Sequence, residues 1–222
     1  MWNDILVAIF SQMYLEKEPG SKVVYNNLCS QVVEEVIKKN GGKPVMWLTG
    51  HSHIKSKMAE EEAIFAGELS GHIFFRDFYG YDDGCYAALK LLEYLSTKKE
   101  TLSQIREDFP KFISSPEIKL ACTVGKKKEI FKSIEEKVKS DFADAQISDA
   151  STIPGNDSIR LDFDDGMMIF RYSQNGPYFT IRFEAKDEET YEKRKKYTRE
   201  VLRSQPEIKW DGSLGVNLEY LD

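Results

Sequence analysis

The chain has 222 residues, 41% of them hydrophobic and 31% charged, a balance that supports a packed core and excludes a disordered chain. Thirty-one Lys and Arg against 37 Asp and Glu give a net charge of −6, so no basic field is present to hold a nucleic-acid backbone. No apolar run reaches the ~20 residues that span a bilayer, and Met-Trp-Asn-Asp lacks the basic n-region and small-residue cleavage site expected of a signal peptide. The three cysteines (Cys29, Cys85, Cys122) are too scattered for a disulfide framework or a CxxC metal site. These features lead to the expectation of a cytosolic protein, of one large domain or two, that neither enters a membrane nor binds nucleic acid.

In chain order, Asp4 to Lys17 carries Ile5, Leu6, Ile9, Phe10, Met13 and Tyr14 on one stripe of period near 3.6, which predicts an amphipathic helix. Lys22–Tyr25 predicts a strand, Ser30–Asn40 a helix stopped by Gly41-Gly42, and Val45–Leu48 another strand. Thr49 to His53 is expected as a loop, followed by a helix over Ile54–Glu62 and strands over Ala63–Gly67 and Gly71–Asp77. Asp82-Asp83-Gly84 opens a helix whose Tyr86, Ala87, Leu89, Leu91, Leu92 and Leu95 are expected in the core. Thr101 and Gln104 have capping-box spacing for a short helix, and the Pro- and Ser-rich stretch around 109–117 is expected as a hinge.

Beyond it, Ile118–Cys122 predicts a strand and Lys126–Lys139 a helix, whose opening Lys126-Lys127-Lys128 is expected to be solvated. Ser158–Phe163 and Met167–Arg171 flank Asp164-Asp165-Gly166 as a hairpin. Tyr178–Ala185 predicts a strand, and Glu188–Arg203 a final helix, acidic first and basic last. The fold class expected is α/β: a layered α/β domain with a mixed sheet, then a smaller α+β domain with an antiparallel sheet and helices on one face.

Chemistry is expected in three polar loops at strand ends. The sequence has only 3 histidines (His51, His53, His72), and they sit in or beside the first two loops, Thr49–His53 and Gly67–His72. Glu68 and Ser70 are two residues apart, hence on one side if extended, a pair suited to adjacent sugar hydroxyls; His72 beside them is a candidate proton donor or acceptor. By spacing alone the same segment also reads as a hairpin with a polar tip. His51 and His53 have no cysteine or carboxylate cluster beside them, so no metal ligands are assigned. The third loop, Arg171 to Pro177, offers a guanidinium, the Ser173 hydroxyl, the Gln174 and Asn175 amides and a glycine, a set able to hold a phosphate or merely to form a turn.

Three runs then carry a resemblance: Thr-Gly-His-Ser-x-Ile-Lys (49–55), Gly-Glu-Leu-Ser-Gly-His-Ile-Phe-Phe (67–75) and Tyr-Gly-Tyr-Asp-Asp-Gly-x-Tyr-Ala-Ala (79–88). They resemble the third domain of the α-D-phosphohexomutases, in particular the bacterial phosphomannomutase/phosphoglucomutase group. Ser-Ser-Pro-Glu-Ile (114–118), Phe170-Arg171-x-Ser173 and Arg182-Phe183-Glu184-Ala185 resemble the fourth. The resemblance implies domain 3 over 1–108, a hinge over 109–117 and domain 4 over 118–222. It implies a mutase that moves a phosphoryl group between O1 and O6 of mannose or glucose phosphate through a bisphosphate, with a phosphoserine as donor and Mg²⁺ as cofactor.

Carried over residue by residue, Glu68 and Ser70 grip sugar hydroxyls, His72 is the acid/base or orienting group, and Gly50 and His51 place the sugar. Arg171, Ser173, Gln174 and Asn175 match the loop that clamps the non-reacting phosphate. Two departures stand out: an amide, Asn175, where the family has threonine, and Leu28 where it often has lysine. The family's phosphoserine loop and its Asp-Gly-Asp-x-Asp-Arg metal loop do not occur in these residues. The expectation is therefore the C-terminal half of a mutase, inactive alone: either a fragment or one subunit of a split enzyme completed by a separate N-terminal half. The alternative is a non-catalytic sugar-phosphate-binding or regulatory protein derived from one.

Overall fold

The structure is a computed structural model that describes residues 2–211 and 214–222. It divides into two compact units, one ending at Lys111 and the other beginning at Phe112.

The first unit runs α1 (Asn3–Lys17), β1 (Lys22–Asn26), α2 (Gln31–Lys39), β2 (Lys43–Trp47), α3 (His51–Glu60), β3 (Phe65–Gly67), β4 (Ile73–Phe75), α4 (Gly84–Thr97) and α5 (Leu102–Glu107). Its sheet has the order β2-β1-β3-β4; β1 is parallel to β2 and β3, and β4 returns antiparallel to β3. The sheet is mixed, as expected. Strand alternation sorts the apolar side chains into two layers. Ala66 and Phe74 join Val24 under Ile54 and Met58 of α3. Phe65 and Phe75 face the opposite way, with the Phe10 ring of α1 at 5.7 and 5.3 Å. Gly67 lets α1 come this close, because a Cβ there would lie 2.6 Å from the Val7 side chain.

Three local expectations are corrected. Helix α1 is buried beyond one stripe: Val7, Ala8 and Leu15 are inside while Ile5 and Leu6 are only half-buried. It lies between α2 and the sheet, so more than one face is covered. Helix α3 begins at His51 rather than Ile54, because Gly50 (φ 132°) turns the chain and its carbonyl accepts the Ile54 N–H at 3.0 Å. In α4 only Ala87 and Tyr94 are buried, and Leu89 and Leu92 are each 65% exposed. Residues 87 and 94 are two turns apart on the face whose Tyr94 hydroxyl bonds Glu16 of α1, which leaves 89 and 92 on the solvent side. The capping box of Thr101 and Gln104 is present.

The second unit runs β5 (Ile113–Ser114), β6 (Ile118–Cys122), α6 (Lys127–Asp141), β7 (Gln146–Ser148), β8 (Ser158–Phe163), β9 (Gly166–Tyr172), β10 (Tyr178–Ala185), α7 (Glu188–Arg203) and β11 (Ile208–Lys209). The sheet is antiparallel in the order β11-β6-β10-β9-β8-β7, with β5 paired to β10. Phe179, Ile181 and Phe183 alternate along β10 into one core with Ile130, Phe131, Ile134 and Val138 of α6 and Val201 and Leu202 of α7. Both helices therefore cover the same face. The segment 109–117 contains β5, and buried Ser115 accepts the Phe183 N–H at 3.0 Å, so its later part is built into this sheet. Among the described residues, no helix is long and apolar enough to cross a membrane.

Candidate functional site

Parallel pairing puts the C-terminal ends of β1, β2 and β3 on one edge, where open α/β sheets place their ligands. Asn26, the last residue of β1, is buried there and ties the loops together. Its Oδ1 accepts the Leu69 N–H at 3.0 Å, and its Nδ2 donates to Thr49 Oγ1 at 3.0 Å. Thr49 in turn donates to Asn27 at 2.7 Å. The Thr49–Gly50 and Glu68–Gly71 segments thus hang from one buried amide.

Glu68 is buried, and its Oε2 accepts the Gly50 N–H at 2.9 Å, which joins the first two polar motifs directly. The segment from Glu68 to Gly71 is a turn rather than extended: Gly71 donates to Glu68 O at 3.0 Å, and Glu68 donates to His72 O at 2.9 Å. Gly71 takes φ 96°, a region open to glycine and strained for other residues. The turn leaves Ser70 exposed and Glu68 inside, so the two-residue spacing does not by itself set them on one side.

The imidazoles of His51 and His72 meet edge to face with centroids 5.3 Å apart, and His51 also lies 5.1 Å from the Phe74 ring. Between them sits Asp82. Its Oδ2 is 2.5 Å from His72 Nδ1 and 3.9 Å from His51 Nε2, and its Oδ1 accepts the Ile73 N–H at 3.0 Å. Burial alone would raise the Asp82 carboxyl; the Ile73 N–H and His72, helped by His51, outweigh it and hold the group below the usual range. The exposed His53 makes no part of this cluster. A cavity of about 490 Å³ opens elsewhere on this unit, beside Met58 and Tyr79, and none of Gly50, His51, Glu68, Ser70 or His72 lines it.

In the second unit, Arg171, Ser173, Gln174 and Asn175 lie at the β9–β10 connection. Arg171 is held by a buried carboxylate: Nε donates to Asp157 Oδ1 at 3.0 Å, and Nη2 lies 2.8 Å from Oδ2. Ser173 is buried; its N–H donates to Tyr178 O, and its Oγ accepts the Asn175 N–H at 3.1 Å. Gln174 and Asn175 are exposed at the tip.

The expectation of a solvated Lys126–Lys128 run holds at its ends and fails in the middle. Lys126 pairs with Glu129 in solvent, whereas half-buried Lys127 donates to Ser173 O at 2.5 Å and to Gly176 O at 3.4 Å. The first residue of α6 therefore anchors the loop. Asn26, Asp82, Lys127 and Asp157 are the site residues missed from the sequence. The signal for Asp82 was its place in the Asp-Asp-Gly run, which reads as a helix start and as part of the family-like run 79–88 without a role for either aspartate. Among the described residues, no group of three or more His, Cys, Asp or Glu side chains is gathered to hold a metal ion.

An α/β unit with polar loops converging at strand ends is thus followed in the chain by an antiparallel α+β unit with an arginine-bearing loop. Residues 2–112, half of the chain, match the family model described as phosphoglucomutase/phosphomannomutase, alpha/beta/alpha domain III. The chain belongs to this family, the α-D-phosphohexomutases. A phosphomannomutase/phosphoglucomutase from Pseudomonas syringae pv. tomato is 37% identical over 194 residues, covering 87% of this chain and 40% of that one. A solved phosphoglucomutase/phosphomannomutase family protein from Burkholderia thailandensis superposes with a TM-score of 0.76 at 29% identity, covering 94% of this chain and 43% of that one. N-acetylphosphoglucosamine mutase from Aspergillus fumigatus, solved with GlcNAc-6P and magnesium, shares the fold at a TM-score of 0.60 and 14% identity, covering 84% of this chain and 44% of that one. The chain thus spans about 40% of the length of the curated relatives it matches.

Proposed function

We propose that this chain is the sugar-selecting and phosphate-clamping half of a phosphomannomutase/phosphoglucomutase that interconverts hexose 1-phosphate and hexose 6-phosphate through a bisphosphate. Residues 1–108 form the sugar-binding domain, 109–117 the connection and 118–222 the phosphate-binding domain. The observation that carries this reading is the junction of the two motifs: the Gly50 N–H on the Glu68 carboxylate, with His51 and His72 gathered on Asp82.

In this reading Glu68 and Ser70 hold sugar hydroxyls, Gly50 and His51 place the ring, and His72 exchanges a proton with the reacting hydroxyl. Arg171, Ser173, Gln174 and Asn175 hold the phosphate that is not reacting. Because the substrate must be used in two opposite orientations, a fixed phosphate anchor supplies binding energy common to both. The phosphoryl donor is a phosphoserine carried by the family's first two domains, which lie outside these residues. The described residues offer no ligand set for the Mg²⁺ that balances its charge, and no step here runs through the metal.

The test is a coupled assay of glucose 1-phosphate conversion. The chain alone gives no turnover, and mixing it with the N-terminal half of a related mutase restores activity; turnover by the pure chain sinks the split-enzyme reading. The changed loop, Gln174-Asn175, and the engagement of Arg171 by Asp157 favour a second reading, a sugar-phosphate-binding protein without catalysis. Calorimetry with mannose 1-phosphate and glucose 6-phosphate separates the two: binding without complementation supports the second.

A further inference from the structure

We infer that Asp82 is a positioning residue that fixes the tautomer and orientation of His72, leaving Nε2 as the ring atom that handles the substrate proton. The assignment of a proton-transfer role to His72 rests on the mutase reading; the geometry that fixes its ring does not.

The two adjacent aspartates divide their work. Asp83 caps α4 by accepting the Tyr86 N–H at 2.8 Å, which leaves Asp82 outside the helix. The Asp82 backbone is held by an antiparallel bridge to Phe74 of β4. Its carboxylate is then aimed by the strand it faces: Oδ1 takes the Ile73 N–H at 3.0 Å, and Oδ2 lies 2.5 Å from Nδ1 of the preceding residue, His72. One carboxylate thus reads the backbone of β4 and the imidazole at its start, so the ring inherits its orientation from the strand.

An ionised carboxylate only accepts hydrogen bonds, so at this distance the Nδ1 of His72 carries the hydrogen. In the neutral ring Nε2 is then the acceptor, the form required of a general base; after taking a proton, Nε2 is the donor. Hydrolases orient a catalytic histidine by the same aspartate-to-Nδ1 contact, there with a buried aspartate; here the contact is at the surface, and the Ile73 N–H and the bridge to Phe74 hold the carboxylate in place. The same Oδ2 is 3.9 Å from His51 Nε2, too far for a hydrogen bond and close enough for attraction to a protonated ring. Asp82 therefore links the histidine of the 49–55 motif to that of the 67–75 motif.

The experiment is long-range ¹H–¹⁵N spectroscopy of the imidazoles in the full chain, above the pH at which the rings are protonated. His72 is expected in the Nδ1–H tautomer. In Asp82→Asn the amide oxygen keeps the Ile73 N–H and the amide NH₂ faces the ring, so Nδ1 becomes an acceptor and the tautomer reverses to Nε2–H. A wild-type His72 in the Nε2–H form, or a ring unchanged by Asp82→Asn, overturns the inference. If Asp82→Asn does not fold, the wild-type tautomer alone decides. In an assembly competent for turnover, Asp82→Asn is expected to lower kcat about a hundredfold while KM stays within about twofold, because ring orientation and not binding is lost. An unchanged kcat refutes the positioning role. The tautomer measurement uses neither substrate nor partner, so its failure is distinct from failure of the mutase reading.

Discussion

Replacing Arg171 by Met should cost the second unit about 3–5 kcal/mol, far more than the loss of a surface cation. The magnitude follows from the partner. Asp157 is 2% exposed and Arg171 11%, and the two are joined by Nε and Nη2 on separate carboxylate oxygens. Removing the guanidinium leaves a carboxylate that water barely reaches and that has lost the Nε hydrogen bond on one oxygen and the ion pair on the other. The β8–β9 ladder persists, since Ser158 still opposes position 171 and Tyr172 N–H still donates to Asp157 O at 3.0 Å, so the loss is electrostatic and local. Against a typical domain stability of about 5–15 kcal/mol, it is a large share. Adding Asp157→Asn removes the stranded charge and should recover all but about 1–2 kcal/mol. Hydrogen exchange of the β8, β9 and β10 amides in increasing urea reads this unit apart from the other. A loss below about 1 kcal/mol in Arg171→Met, or a double variant no more stable than the single, would refute the reasoning.

Two further outcomes follow from the same kind of bookkeeping. Lys127→Met removes the ammonium from Ser173 O and Gly176 O and should speed exchange of the 174–178 amides about tenfold, with Lys127→Arg restoring part of the protection; unchanged exchange would show that the loop holds itself. Asp149 has its carboxyl brought down to about 2: burial would raise it, but Lys139 at 2.5 Å and the Ser151 N–H and hydroxyl at 2.7 and 2.6 Å prevail. Its folded value lies below the unfolded ~3.9, so its contribution is full above about pH 5 and is lost as pH falls toward 2. The shift corresponds to about 2 kcal/mol once the half-exposed Lys139 is discounted. Acid titration of Asp149→Asn should show a flatter limb over that window, and a limb as steep as wild type would exclude Asp149 as its source.

How much of this was legible depends on whether the pattern was local. Strand alternation around 65–67 and 73–75, the glycine stops and the Thr101–Gln104 capping box are set by neighbours along the chain, and the elements they announce are present. In α4 the helix itself was readable, but leucine favours helices whether or not it is covered, so Leu89 and Leu92 gave no sign of facing solvent. Side-chain partners across loops were not readable at all. Asp82 and Asp83 are equivalent letters in the sequence; only the approach of β4 assigns one to the cap and the other to His72. In the lysine run, only the middle member meets the 173–176 loop, because the β9–β10 connection is brought against the start of α6.

That last point changes what a phosphate clamp at this loop rests on. The sequence invites counting Arg171 as the charge that attracts the anion, with the serine and amides as oxygen contacts. Folding commits that guanidinium to Asp157, and the pair together carries no net charge. The Lys127 ammonium, by contrast, bonds two neutral carbonyls, those of Ser173 and Gly176. The electrostatic pull of the loop therefore has to come largely from Lys127, and Arg171 contributes geometry and the N–H groups its carboxylate leaves over. In the proposed clamp, an amide at the exposed position 175 adds one contact beside the charge of Lys127, as a threonine hydroxyl would, so a phosphate titration of Asn175→Thr should change affinity less than one of Lys127→Met.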